Sequence, residues 1–360
     1  MATLLLASAV AAYHGAGRMP ALRMCDSGTA SSSTVMPLPV PEHVDYLNDV
    51  ALTMAPTALS AAVGVLVSRG ETLVPPGTDA SLHPLLVPLT CDMAGDGAVT
   101  GLLRWPAAGG GGSKLPVVRT TGAGRQLEIL ADCAEHFVAR EAVLADAAGA
   151  ANAAELLRLA ELSEFSYSAG DAAASPGGVP GYLITKVGPF VSAYKQLAMR
   201  HADGGSEESA LITCERTQSC FQAWAHPYAF HSQLLAGFGR HEEARDLARH
   251  ALGLPLWTLG DIDIAALCGT AQTTPAELAV SLRKKADGKL SEAELRAQNG
   301  MENRTPQQIA KDRASYLLDL VVAAPDEYSW ESVRAELADL YRQADMASIG
   351  TFVSAVGSEA

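Results

Sequence analysis

Apolar residues recur every three to four positions over most of this 360-residue chain, and give way to short clustered runs in one region of its first third. From Pro41 to about Ser68, Val44, Leu47, Val50 and Leu52, then Leu59, Val63 and Leu66, fall at helical spacing. Pro56 interrupts them, since proline offers no amide hydrogen and crowds the preceding turn. One kinked helix or two short ones are predicted. From about Thr72 to Val118 the rhythm changes to SLHPLLVPLT, AVTGLLRWP and KLPVVR, apolar runs parted by glycine, proline and aspartate, which read as strands. Pro84, Pro88, Pro106 and Pro116 cannot donate to a ladder, so these strands should be short and at edges. From Gly124 the helical pattern returns nearly to the end. QLEILADCAEHFVAREAVLADA places Leu127, Leu130, Cys133, Phe137 and Val143 near one face, and AAELLRLAELSEF continues it.

Punctuation sets the organisation. SAGDAAASPGGVPG (168–181) is a break that divides a segment 41–167 from a helical segment 182–360. Thr274-Pro275-Ala276-Glu277, Ser291-Glu292-Ala293-Glu294 and Thr305-Pro306-Gln307-Gln308 each place a hydroxyl at an N-cap with Glu or Gln three residues on. In residues 221–255 an apolar helix, a turn at Gly239 and a second helix striped by Ala244, Leu247, Ala248, Ala251 and Leu252 form a helical hairpin like the second half of a tetratricopeptide repeat. No convincing copy is legible about 34 residues to either side, so a lone hairpin within a globular helical domain is expected ahead of a repeat array. The fold class is mainly α (α+β), with a small proline-interrupted β region near residues 72–118.

Composition supports the helical bias. Hydrophobic residues make up 48% and aromatics only 6%, so much of the apolar content is alanine, the best helix former. The net charge of −14 repels phosphate backbones and anionic lipid surfaces, which excludes nucleic acid and leaves a basic patch on a protein partner as the attractive complement. No run approaches the length of a membrane span.

Residues 1–40 form a leader and joint. Leu4 to Ala12 is a short apolar segment ending in the small-residue pattern Ala9-Val10-Ala11. The segment after it carries Arg18 and Arg23 and no acid until Asp26. A removable address is expected, of two-step plastid type by the order of its parts. Ala12 or Tyr13 stands where such leaders usually show phenylalanine, which keeps a plain mitochondrial or primary-plastid presequence open.

Chemistry-bearing patterns are scarce. The six cysteines, 25, 91, 133, 214, 220 and 268, include no CxxC pair and give no zinc pattern. His226 and His231 stand five apart, off the i, i+4 spacing of joint ligands, and neither HExxH nor GxSxG is present. The glycine run at 109–112 lacks the pattern of a phosphate cradle and reads as a loop. No catalytic residue, cofactor site or metal ligand is assigned. Arg104 and Trp105 combine two residue types common at binding hot spots; a strand-ending core tryptophan beside an arginine that caps or pairs is the equal alternative.

Three stretches together, SLHPLLVPL (81–89), GLLRWPAA with KLPVV just after it (101–118) and FGRHEEARDLARHALGLPLWTLG (238–260), resemble the plant and algal chloroplast family called "protein in chloroplast ATPase biogenesis". The likeness extends over roughly residues 43–356, including the LLDL of Leu317 to Leu320 and a closing helix around Ile349 to Val353. The glycine insertion at 109–112 and the alanine-rich 141–160 segment depart from it. The resemblance implies a non-catalytic stromal assembly factor for the catalytic portion of the chloroplast ATP synthase, acting with the γ subunit. Arg104, Trp105, Arg245 and Trp257, within these stretches, are the expected partner-contact residues. A general helical plastid adaptor of tetratricopeptide type is the alternative, and it requires tandem hairpins around an open concave groove. An enzyme is the other, and it requires a deep pocket with a buried histidine or carboxylate.

Overall fold

The computed structural model describes residues 37–106, 114–121, 123–163, 165–289 and 304–356; the expected leader up to residue 36, the glycine loop at 108–113 and the Ser291 cap lie outside them. The Pro41–Ser68 rhythm resolves into two pieces on either side of Pro56. α1 (Pro41–Asp45) runs on into a wider turn, Tyr46–Val50, and α2 is Leu59–Ser68. The α2 sequence LSAAVGVLVS is apolar on every side, as a helix surrounded by protein must be. Ala61 to Leu66 are all buried, in contact with the strands β1 (Thr72–Leu73) and β2 (Leu86–Cys91) and the helices α3 (Ala134–Ala147) and α4 (Ala153–Leu162).

With β3 (Val99–Leu103), β4 (Val117–Thr121) and β5 (Gln126–Ala131), these strands form an antiparallel meander in sequence order. The three strand candidates are β2, β3 and β4, which are the inner strands of the sheet and not the expected edges, those places being taken by β1 and β5. Pro88 lies at a register shift of β2 against β3, past the end of β1, so its missing amide hydrogen breaks no regular pair. β5 corrects the helical reading of residues 126–131. Leu127, Ile129 and Ala131 are buried while Glu128 and Leu130 are half-buried, a period of two. Leu127 and Leu130 also satisfy a helical row, which is the ambiguity of short apolar runs. Residues 168–181 carry two short helices, α5 (Asp171–Ala174) and α6 (Gly178–Tyr182), with Ala172 and Pro180 buried.

The expected hairpin is present and has neighbours. α7 (Val191–Asp203) and α8 (Glu207–Cys220) form one hairpin, α9 (Ala225–Gly237) and α10 (His241–Ala251) the next, and α11 (Ile264–Ala271) and α12 (Pro275–Ala286) a third, shorter pair. The second helices begin at Glu207, His241 and Pro275, 34 residues apart each time, and α7 and α9 begin 34 residues apart as well. Gly205 and Gly239 occupy equivalent turn positions with φ of 75° and 79°, a left-handed backbone that glycine adopts without strain. Ala244, Ala248 and Ala251 are buried on α10, and so are Ala210, Cys214 and Thr217, 34 positions earlier on α8. All six are small, which lets the helices approach. Alanine matched with cysteine and threonine is a repeat in volume and not in letters, so the copies escaped the sequence reading.

α13 (Pro306–Ala323), α14 (Trp330–Gln343) and α15 (Ala347–Ser354) complete the chain. The Thr274 and Thr305 capping boxes form as predicted, and Ser329 makes a third with Ser332, each worth about 1 kcal/mol. The last helices return to the first strands. Arg334 donates from Nε to the Ala80 carbonyl at 3.0 Å and from Nη2 to that of Leu82 at 2.7 Å, and Tyr46 meets Phe352 edge-on. One buried apolar cluster therefore runs from Val40 to Val353. No described helix is long and apolar enough to cross a membrane.

Candidate functional site

β3 ends at Leu103, and the two residues after it point different ways. Arg104 reaches across to α15, donating to the Ser348 hydroxyl at 3.4 Å and to the Leu52 carbonyl at 3.3 Å, with its guanidinium 5.8 Å from the Phe352 ring centre. Trp105 turns towards the hairpins, edge-to-face with Trp224 (5.6 Å) and Trp257 (4.9 Å). His83 lies against both Trp257 (4.7 Å) and Trp330 (4.6 Å). All four tryptophans of the chain thus belong to one aromatic cluster that joins the sheet, the hairpins and the C-terminal helices. Edge-to-face pairs contribute about 0.5–1.5 kcal/mol beyond burial.

Of the four expected contact residues, the fold brings Trp105 and Trp257 together with Arg104 close by, and sets Arg245 apart on α10. Trp257 is 1% exposed, so in this conformation its ring packs the interior. Arg245 pairs with Glu242 at 2.5 Å and Asp246 at 3.3 Å.

Asp246 opens onto a surface groove of about 460 Å³ between the first two hairpins. Leu211 and Glu215 of α8, His231 and Leu235 of α9, Arg240, and Glu243, Asp246 and Leu247 of α10 line it. The 34-residue recurrence places α8 beside the α9–α10 hairpin and so creates the groove. Arg240 is occupied by Glu207 (3.4 Å) and Glu243 (2.5 Å). Burial, with the Arg240 charge, pushes the His231 imidazole down to about 4, so it adds no positive charge near neutral pH. The lining holds three leucines and three carboxylates; Glu243 is engaged by Arg240 and Asp246 by Arg245 (3.3 Å) and Arg249 (3.8 Å), so the acidic surplus rests on Glu215, and a basic amphipathic segment is its complement. Its lining is scattered over residues 211–247 on three helices, and without the repeat no linear pattern reveals it.

A second, small cavity of about 40 Å³ lies where β5 meets the starts of α7 and α9, lined among others by Ser192, Lys195, Trp224, His226 and Thr258. Beside it Asp261 accepts from His226 at 3.1 Å and Lys195 at 3.2 Å. The His226 hydrogen bond, then the Lys195 charge, hold its carboxyl well below the ordinary carboxylate range. The cavity has room for no more than a few water molecules. Among the described residues one group of side chains has metal-ligand spacing, Asp132, Cys133 and His136 at the start of α3. Cys133 and His136 form a Cys-x-x-His, which neither the CxxC nor the HExxH pattern covers, and the helical row Leu127, Leu130, Cys133 places Cys133 on a helix face where the structure makes it an N-cap.

Comparison with known proteins gives a consistent set. Three family domains match in order: PAB N-terminal over residues 41–186, PAB middle domain over 191–274 and PAB C-terminal domain over 284–356. The middle domain spans the first two hairpins and α11. A curated relative, Protein IN CHLOROPLAST ATPASE BIOGENESIS, chloroplastic, of Arabidopsis thaliana, is 33% identical over 314 residues, covering 86% of this chain and 90% of that one.

Proposed function

Because the chain belongs to the family of Protein IN CHLOROPLAST ATPASE BIOGENESIS, we propose that it is a plastid assembly factor for the chloroplast ATP synthase. In this reading it acts in the stroma on the catalytic portion of that complex, with the γ subunit as the partner, and is not part of the finished enzyme. The observation that carries the proposal is the near full-length match to a relative named for ATPase biogenesis. The groove between the first two hairpins supports it, since an acidic, leucine-lined channel suits transient capture of a basic amphipathic stretch of an unassembled subunit. A net charge of −14 speeds such an encounter. Affinity purification of the full chain from plastid stroma is expected to recover γ, α or β subunits. Recovery of none of them, with normal ATP synthase levels in a knockout, would overturn the proposal.

The tandem hairpins favour one second reading, a general adaptor for another plastid complex. The two readings separate on what is recovered: another complex in place of ATP synthase subunits selects the adaptor.

A further inference from the structure

Cys133 is the N-cap of α3 and His136 its third helical residue. Those two positions meet in any helix, which is why a capping box works, with the N-cap side chain and the third side chain lying over the same first turn. Here they hold a thiol and an imidazole, and Asp132, the residue before the cap, adds a carboxylate. One ligating atom from each of the three lies within 4.8 Å of the others. Asp132 Oδ1 is 2.5 Å from His136 Nδ1, while Lys114 binds the other oxygen, Oδ2, at 3.4 Å. Lys114, itself exposed, leaves Oδ1 as the oxygen that faces the imidazole.

Backbone closes one side of the imidazole. Gly188, in the turn before α7, lies so close to the imidazole that a Cβ there would stand 2.6 Å from Nδ1. Its φ of 167° is open to any residue, so it is the approach to His136 that excludes a side chain. Phe190 closes another side, 6.5 Å from the His136 ring. Cys133 is buried, and the Asp132 and His136 side chains are 27% and 29% exposed, which leaves one face open to solvent.

We propose that Asp132, Cys133 and His136 form a three-ligand site for a divalent transition metal, zinc by its donor set, with the fourth position open to water or to a partner's side chain. Thiolate and imidazole together select zinc over magnesium or calcium, which take oxygen ligands. Tetrahedral zinc holds such atoms roughly 3.3–3.7 Å apart, so the carboxylate and imidazole must separate by roughly 1 Å and the rest need only small rotations. The positive end of α3 opposes a cation, and the two anionic donors offset it by cancelling the charge of the ion. Binding releases two protons to solvent, the thiol's and the one that the imidazole shares with the Asp132 carboxylate.

The test uses the full chain, stripped with a chelator and titrated with zinc or cobalt(II). One equivalent of zinc is expected, at least tenfold weaker in Cys133→Ser and His136→Gln and unchanged in Cys220→Ser. Cobalt should give the thiolate charge-transfer band and the visible bands of a tetrahedral site. The cobalt spectrum of the unaltered chain is a readout that needs no variant to fold. Absence of stoichiometric zinc binding, binding untouched by either substitution, or a cobalt spectrum without the thiolate band would each overturn the proposal. In the first case the cluster is an aspartate–histidine pair beside a thiol and nothing more.

Discussion

Trp105 and Trp257 meet edge to face with ring centres 4.9 Å apart, one just past β3 and the other in the turn after α10. Through Trp224, His83 and Trp330 the contact continues into the first hairpins and the C-terminal helices. The three regions that match separate family domains therefore share one core, and a defect at its centre should be felt by all of them.

Trp257→Ala should destabilise the whole chain by about 3–5 kcal/mol, the usual cost of deleting a buried aromatic ring, and Trp257→Phe by less. Denaturant unfolding followed by tryptophan fluorescence and by far-ultraviolet circular dichroism should give coincident transitions. Loss of fluorescence structure while most helix persists would show that the regions unfold separately.

His83 is buried between two indoles, its Nδ1 accepting from the Leu85 amide at 3.2 Å. Burial, then the Arg334 charge, push its imidazole down to about 3. Between that value and the ordinary 6.5 the unfolded chain binds a proton that the folded chain does not. Stability should thus be full above about pH 6.5 and fall as the pH drops towards 3, by on the order of 3 kcal/mol by pH 4. His83→Asn, which keeps an acceptor for Leu85, should flatten this slope in urea melts at pH 4 to 7 even though its absolute stability is lower.

Asp319 has the opposite sign. Fully buried on α13, it accepts from the Leu256 amide at 2.6 Å, and burial pushes its carboxyl up to about 8. The folded chain keeps a proton that the unfolded chain releases above about pH 4, so stability falls as the pH rises from there to 8. Asp319→Asn supplies an oxygen to Leu256 without the ionisation. Its stability relative to the unaltered chain should improve between pH 4 and pH 8.5 by on the order of several kcal/mol; a constant difference would mean that the Asp319 carboxyl releases its proton at the same pH in the folded and the unfolded chain.

Glu215→Lys combined with Asp246→Lys reverses two of the groove's charges while leaving its leucines in place. Capture of ATP synthase subunits should weaken at least fivefold, mainly through slower association, while the melting temperature shifts by little, as substitutions of half-exposed or exposed charges do. Unchanged capture would move the contact surface elsewhere.

What was legible in the sequence follows from how local each signal is. The Thr274 and Thr305 caps are complete within four residues, and both formed. The proline-parted runs gave three strands because each is a short apolar cluster with Pro84, Pro106 or Pro116 just outside it, although Pro88 and Gly101 lie within β2 and β3. β5 was misread because Leu127 and Leu130 satisfy two periods at once, and only pairing with β4 selects one. The flanking hairpins were hidden because packing conserves small volume at 210, 214 and 217, where cysteine and threonine replace the alanines of α10. The tryptophan cluster, the groove and the Asp132–Cys133–His136 cluster depend on which elements and which first turn come together, and residue spacing alone did not reveal them.

The most direct test of the central claim is affinity purification of the full-length chain from plastids during active ATP synthase assembly, with the bound proteins identified and the Glu215→Lys, Asp246→Lys double variant run in parallel. The account predicts recovery of unassembled γ, α or β subunits with the unaltered chain and markedly less with the variant. Recovery of none of these subunits by the unaltered chain, together with normal ATP synthase abundance when the protein is absent, would contradict it.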